Sequence, residues 1–163
     1  MPKIDDFVRE FDREMATTRR VLERVPEDKA SWKPHEKSSA LGNLATHVAN
    51  LPNFAGRILN NEVYDTANFV PAPAFTTTAA LLDFFDKNVR AAREVLASAT
   101  DDQLGKTWSM IRSGQTFMSG ERMSMLRGLL MNHHIHHRGQ LTVYLRLNNV
   151  PLPSVYGPTA DER

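Results

Sequence analysis

Four of the six histidines fall within the run "NHHIHH", residues 132–137. Histidine is the one side chain there whose neutral form offers a lone pair to a divalent cation. The spacing of the run therefore decides what chemistry it can do. On a helical wheel at ~100° per residue, Leu126, Leu130, His133, His137, Gln140 and Tyr144 share one stripe. This stripe is expected to face the core. His133 and His137 stand one turn apart, with Cβ atoms ~6 Å from each other, so both rings can turn to one ion. His134 falls at the stripe's margin and His136 nearly a quarter turn from its centre; both are expected to flank the site. Arg138 lies farther off on the other side and is expected to serve a surface or dimer salt bridge.

Two imidazoles make a weak site, and a third donor must come from elsewhere. His47 is the candidate, because it shares the apolar face of an earlier helical segment with Leu44 and Leu51. A polar ring on a core face needs a partner, and one ion would satisfy three such rings. His35 sits in a proline-rich loop and is peripheral. Three neutral imidazoles leave a divalent ion with open positions, the pattern of a catalytic site. Such an ion lowers the pKa of a bound water or thiol. Gln140 and Tyr144, one and two turns beyond His137, are the candidate catalytic residues. Gln140 would hydrogen-bond a bound ligand or steady a metal-binding ring; Tyr144 would orient a ligand, act as a weak acid, or simply pack. A di-iron carboxylate site is disfavoured, because it needs Glu-x-x-His pairs on two helices and the chain has none. The His-Glu-x-x-His zinc motif is also missing.

The elements that must position these residues read as helices. Ile4, Phe7, Val8, Phe11, Met15, Val21, Leu22 and Val25 recur at three- and four-residue steps, and Pro26 stops the run. A loop with two prolines follows, carrying Trp32, which is expected to pack over the end of the helices. Ser38 or Ser39 can cap a second helix with Leu41, Leu44, His47, Val48 and Leu51. Pro52 falls inside its pattern; a kink is expected, because "NFAGRIL" resumes the apolar spacing. Residues 64–78 form a second loop, and Thr76, Thr77 or Thr78 can cap a third helix through about Ala99. Between residues 101 and 121, Ser113 and Gly114 either turn a short hairpin or sit in an ordered loop. A fourth helix runs from about Gly120 to Leu147, stopped by Asn148, Asn149 and Pro151. The methionines from Met110 to Met131 form no single stripe and read as adaptable packing. The Pro-rich tail is expected on the surface. These elements predict an all-α, four-helix bundle in one domain over residues 1–163. The middle connections are long for plain hairpins, so at least one is expected to be a crossover.

Composition narrows the function. The chain carries 20 Lys plus Arg against 19 Asp plus Glu, a net charge of +1, which gives no electrostatic footprint for nucleic acid or an anionic membrane. It has no cysteine, hence no disulfide, no thiolate nucleophile and no Cys-type zinc site. The start "MPKIDDFVRE" lacks an apolar signal core, and no apolar run reaches the ~18 residues of a membrane span. A cytoplasmic protein is the expectation.

"NHHIHHRGQLTVYLR", with "SWKPHEKSSALGNLATHVANLP" upstream and "PLPSVYGPTADE" at the end, resembles the DinB/YfiT-like family of metalloenzymes. The Arg-Gly-Gln-Leu run after the histidine pair is the most specific piece. The family name refers to damage-inducible genes, not to the DNA polymerase that shares it. The resemblance implies a four-helix bundle of unusual connectivity, often a homodimer. It implies a divalent metal, zinc or nickel first and manganese or iron as alternatives, held by His47, His133 and His137. Its characterised relatives include thiol-dependent S-transferases. The expected function is therefore a metal-dependent hydrolase or thiol-dependent S-transferase acting on a small molecule. Any thiol must arrive on a low-molecular-weight cosubstrate, since the chain has none of its own. The alternatives are a non-catalytic metal-binding or metal-sensing bundle, and a bundle whose histidines are merely hydrogen-bonded.

Overall fold

The computed structural model describes residues 3–72 and 75–162; two positions of the second expected loop lie outside them. Helix α1 spans Lys3–Leu22 and buries Ile4, Phe7, Phe11, Met15, Thr18, Val21 and Leu22 along one face. It ends four residues before Pro26, whose ring cannot continue it.

Helix α2, Leu41–Asn50, starts differently from the expectation. Ala40 is its N-cap, with no side-chain cap, so neither Ser38 nor Ser39 serves. Its first free N–H groups are satisfied by the preceding loop instead. Leu41 N donates to Trp32 O and Gly42 N to Ala30 O, both at 2.9 Å. The approach is close enough that a Cβ on Gly42 would sit 3.1 Å from Ala30. Pro52 kinks the path as expected. A single 3₁₀ turn, Leu51–Asn53, carries the chain into α3, Phe54–Leu59.

Helix α4, Thr78–Ala97, is capped by Thr77, whose Oγ1 accepts from Ala80 N at 3.1 Å. A short helix α5, Asp101–Gly105, follows. The last helical rod opens as α6, Arg122–Met125, passes through a π-helical stretch at Leu126–Asn132, and continues as α7, His133–Leu147. It closes with a Schellman motif: Val150 N donates to Leu145 O, Asn149 N to Arg146 O, and Asn149 takes φ 59°.

The all-α expectation needs correction. The fold is mostly helical but carries a small three-stranded sheet, in the order β1-β2-β3. Strands β2, Thr107–Arg112, and β3, Gln115–Glu121, form an antiparallel hairpin. Its turn is the Ser113-Gly114 pair at φ 49° and 76°, the all-positive geometry of a type I′ turn. β1, Val63–Asp65, pairs with β2 in parallel. Trp108 is fully buried, and its indole N–H donates to Arg57 O at 3.0 Å. This bond pins the sheet to α3.

The long helices are arranged in a ring. α1 packs against α4 and α7, and α2 packs against the same two. Ion pairs Arg19–Asp86 and Arg93–Asp12 trim the α1–α4 seam. Inside, Asn88 Nδ2 donates to Ala49 O at 2.9 Å and ties α4 to α2. The tail lies on the surface, as expected, and is fastened there by ion pairs Arg146–Asp161 and Arg20–Glu162. Among the described residues, no helix is long and apolar enough to cross a membrane.

Candidate metal centre

The stripe of α7 that enters the core is not the one a uniform α-helix predicts. Leu126, Leu130 and Met131 are buried, and the buried series then continues through His134, Arg138, Leu141 and Leu145. The predicted stripe would have continued through His133, His137, Gln140 and Tyr144. The buried face is one residue late. The cause is the π-helical stretch, whose wider turns absorb an extra residue and advance the phase by about one position. His133 and His137 consequently stand half-buried at the edge of the core, facing α2.

This phase shift overturns two expectations. Arg138 is not at the surface; only 1% of it is exposed. Its Nη2 pairs with Glu14 Oε2 at 2.6 Å, and its Nη1 donates to Glu14 O at 3.1 Å and Thr18 Oγ1 at 3.2 Å. Tyr156 from the tail closes the set, accepting from Arg138 Nη2 and donating to Glu14 Oε2, both at 2.9 Å. His134 is not a marginal neighbour either. It is fully buried, with Nε2 2.8 Å from Thr18 Oγ1. Burial, then the Arg138 charge, pushes its pKa down to about 3. These groups bolt α7 to α1 on the side away from the site. His136 is exposed, and the His35 ring accepts from Lys37 N within its own loop, away from the triad.

The remaining three histidines converge. One ligand nitrogen from each of His47, His133 and His137 lies within 4.8 Å of the others. The Nε2 atoms of His47 and His133 are 3.5 Å apart. That is long for a hydrogen bond. It matches two neighbours in a tetrahedral shell, ~3.4 Å apart when each bond is ~2.05 Å. The ring centroids are 4.5 to 5.2 Å apart. His137 Nδ1 lies 2.7 Å from Gln140 Oε1. An Nδ1–H donated to that oxygen sets the tautomer and leaves Nε2 as the donor atom. His133 Nδ1 is buried without a well-formed hydrogen bond, although the Leu129 carbonyl one turn back acts on it and opposes the fall in its pKa.

The electrostatics favour neutral rings. Burial, then the two neighbouring imidazoles, pushes the His47 pKa down to about 4. Burial likewise lowers His133 and His137, the latter partly restored by Gln140. Three lone pairs are therefore available at neutral pH. The donor set fits a divalent ion and offers it no protein charge.

Two cavities meet at the triad, with His47 in the wall of both. One, about 420 Å³, is bounded by His137, Gln140 and Tyr144 and by Ser38, Ser39 and Asn43. Tyr144 meets Trp32 edge-on at 5.7 Å, so both aromatics pack and Tyr144 also faces the cavity. The other, about 360 Å³, lies under the sheet against His133, Phe54, Tyr64 and Met110. This second cavity was not expected from the sequence. Its walls come from α3, β1 and β2, and neither β1 nor its pairing had a sequence signal.

The whole chain, residues 1–163, matches the model of the DinB family. The protein belongs to the DinB family. A Bacillus subtilis relative, the uncharacterized protein YrdA, is 26% identical, the match covering 98% of this chain and 91% of the relative. A DinB-like protein from Bacillus cereus has a crystal structure that superposes with a TM-score of 0.73 at 23% identity, over 93% of this chain and 97% of that one. The DinB-like protein YjoA from Bacillus subtilis superposes with a TM-score of 0.69, also at 23% identity, over 97% of this chain and 99% of that one. At this identity the two structures bear on the fold alone. The chain thus has a DinB fold with a histidine triad that could hold a metal ion.

Proposed function

We propose that this DinB protein is a divalent-metal enzyme acting on a small molecule, either a hydrolase or a thiol-dependent S-transferase, built on a four-helix bundle. The observation that carries the reading is the convergence of His47, His133 and His137 at the meeting point of two cavities. Three protein donors on one side, with open space on the others, suit a reaction better than a structural role. Zinc or nickel suits three imidazoles best, with manganese or iron as alternatives. When bound, such an ion supplies Lewis-acid activation of a water or thiol at neutral pH.

The chain's own residues divide the remaining work. Burial keeps the three imidazoles unprotonated and available. Gln140 fixes the His137 ring through its Oε1, and its amide NH₂ remains free to donate to a molecule in the cavity it borders. The Tyr144 phenol stands on the same wall and can orient that molecule. A thiol reactant must be brought by a cosubstrate, because the chain has no cysteine. The polar cavity suits the head of such a cosubstrate, and the apolar one suits the body of an electrophile. We place the protein as a homodimer, which light scattering on the purified chain checks directly.

Metal analysis of protein purified without a histidine tag tests the reading. About one divalent ion per chain is expected, and His133→Ala should lose it. Thiol consumption against small electrophiles, and hydrolysis of small esters and amides, should depend on that ion. Absence of stoichiometric metal, with unchanged stability after chelation, ends the metal reading. Tight metal binding without turnover of either kind returns the protein to a sensing or storage role.

A further inference from the structure

The cavity under the sheet contains two positive charges without partners. Arg19, Arg93, Arg127, Arg138 and Arg146 each find a carboxylate. Arg57 and Arg112, both bordering this cavity, find neither a carboxylate nor a side-chain hydrogen bond among the described residues. Arg57 is not loose. Its guanidinium carbon lies 4.9, 5.2 and 5.6 Å from the ring centroids of Phe54, Tyr64 and Phe69. Three aromatic faces within ~6 Å hold a guanidinium by cation–π attraction. They leave its in-plane N–H groups as the unused donors, and this is the edge that grips an oxyanion with two parallel bonds. Arg112, at the end of β2, stacks on Phe117 at 5.3 Å and adds a second charge at the rim. Every other wall near Arg57 is aromatic or apolar, apart from Asn50 and Thr66.

We infer that this cavity binds an anionic small molecule, a carboxylate or a phosphate with an aromatic or apolar body, its oxyanion on Arg57 and Arg112 and its other end toward His47 and His133. This inference deepens the reading above and rests on it for what happens at the histidine end. The anion site itself rests on the unpaired arginines. The volume of about 360 Å³ is at the lower end of small-ligand pockets, which span ~300–1,000 Å³.

The probes are phenylacetate, phenyl phosphate and neutral phenylacetamide, titrated by calorimetry at pH 8, where the three rings of the triad are neutral. Both metal-loaded and chelated protein are used. At least one oxyanion should bind tenfold or more tightly than the amide. Arg57→Met and Arg112→Met should each remove most of that preference, weakening the oxyanions far more than phenylacetamide. Arg57→Lys should keep part of it. Arg112 is exposed, so its variant stays folded and keeps the test sound if Arg57→Met does not; thermal melts monitor both. Retention of the arginine-dependent preference after chelation supports the anion site even if the metal reading fails. Equal binding of anion and amide, or anion binding that ignores both arginines and vanishes with the metal, overturns the inference.

Discussion

Gln140 Oε1 sits 2.7 Å from His137 Nδ1. A glutamine one turn along α7 thus decides which nitrogen of His137 carries the proton. Replacing Gln140 with Leu should weaken metal binding by about tenfold, the lower end of the 10–100-fold typical for such partners, because Gln140 is exposed and water can replace it. Gln140→Glu should hold or raise affinity. Competition against a fluorescent chelator measures both, and an unchanged Gln140→Leu affinity would refute the assignment.

The histidines of α7 should separate sharply in metal titrations. His133→Ala and His137→Ala, like His47→Ala, should abolish stoichiometric binding. His136→Ala should leave it intact, since His136 is exposed and not part of the triad.

Acid should destabilise the metal-free protein. His47 is pushed down to about 4 and His134 to about 3 by burial, against ~6.5 in an unfolded chain. Between those limits the unfolded state holds protons that the native state does not, so stability rises with pH across the window. It should be fully present above pH ~6.5 and decline as pH falls towards 4. Urea midpoints at pH 7, 6 and 5 after chelation check the direction. Loaded protein should fall more steeply, because the ligands must lose their protons to bind.

The Arg138–Glu14 pair is nearly dry, with side chains 2% and 12% exposed. Removing one partner leaves an uncompensated charge, so Arg138→Met or Glu14→Gln should each cost about 3–5 kcal/mol. The double variant Arg138→Met, Glu14→Gln should cost less than the sum of the two single changes. Denaturant unfolding of the four proteins yields the coupling, and simple additivity would count against the network.

Metal removal should lower the melting temperature in a concentration-dependent way. An ion at one hundred times its Kd stabilises the folded chain by about 2.7 kcal/mol. Melts across a zinc or nickel series, with and without chelator, provide the comparison.

The long helices were legible because each repeats apolar residues at the helical period, and α1, α2 and α7 end at or shortly before a proline or an asparagine. The triad was legible because His47 and the His133–His137 pair sit on helices at readable spacing. What stayed hidden has specific causes. Three-residue β1 is too short to display a period of two. The start of α2 is capped by the Ala30 and Trp32 carbonyls, and backbone partners leave no mark on side-chain identity. Arg138 and His134 were misplaced because a phase extrapolated from Leu126 and Leu130 assumes uniform winding, and the π-helical turns break that assumption.

That break gives the last rod a surplus residue, and the surplus behaves as slack. Removing Gly128 should let residues 126–132 wind as a plain α-helix while His133 and His137 keep facing α2, because everything beyond the stretch already sits one position late. Removing a residue after His137 has no such reserve to draw on. It would swing Gln140 and Tyr144 by about 100°, away from the cavity they border. The helix therefore tolerates the loss of one residue before its histidines and not after them, so only its N-terminal half is free to vary in length.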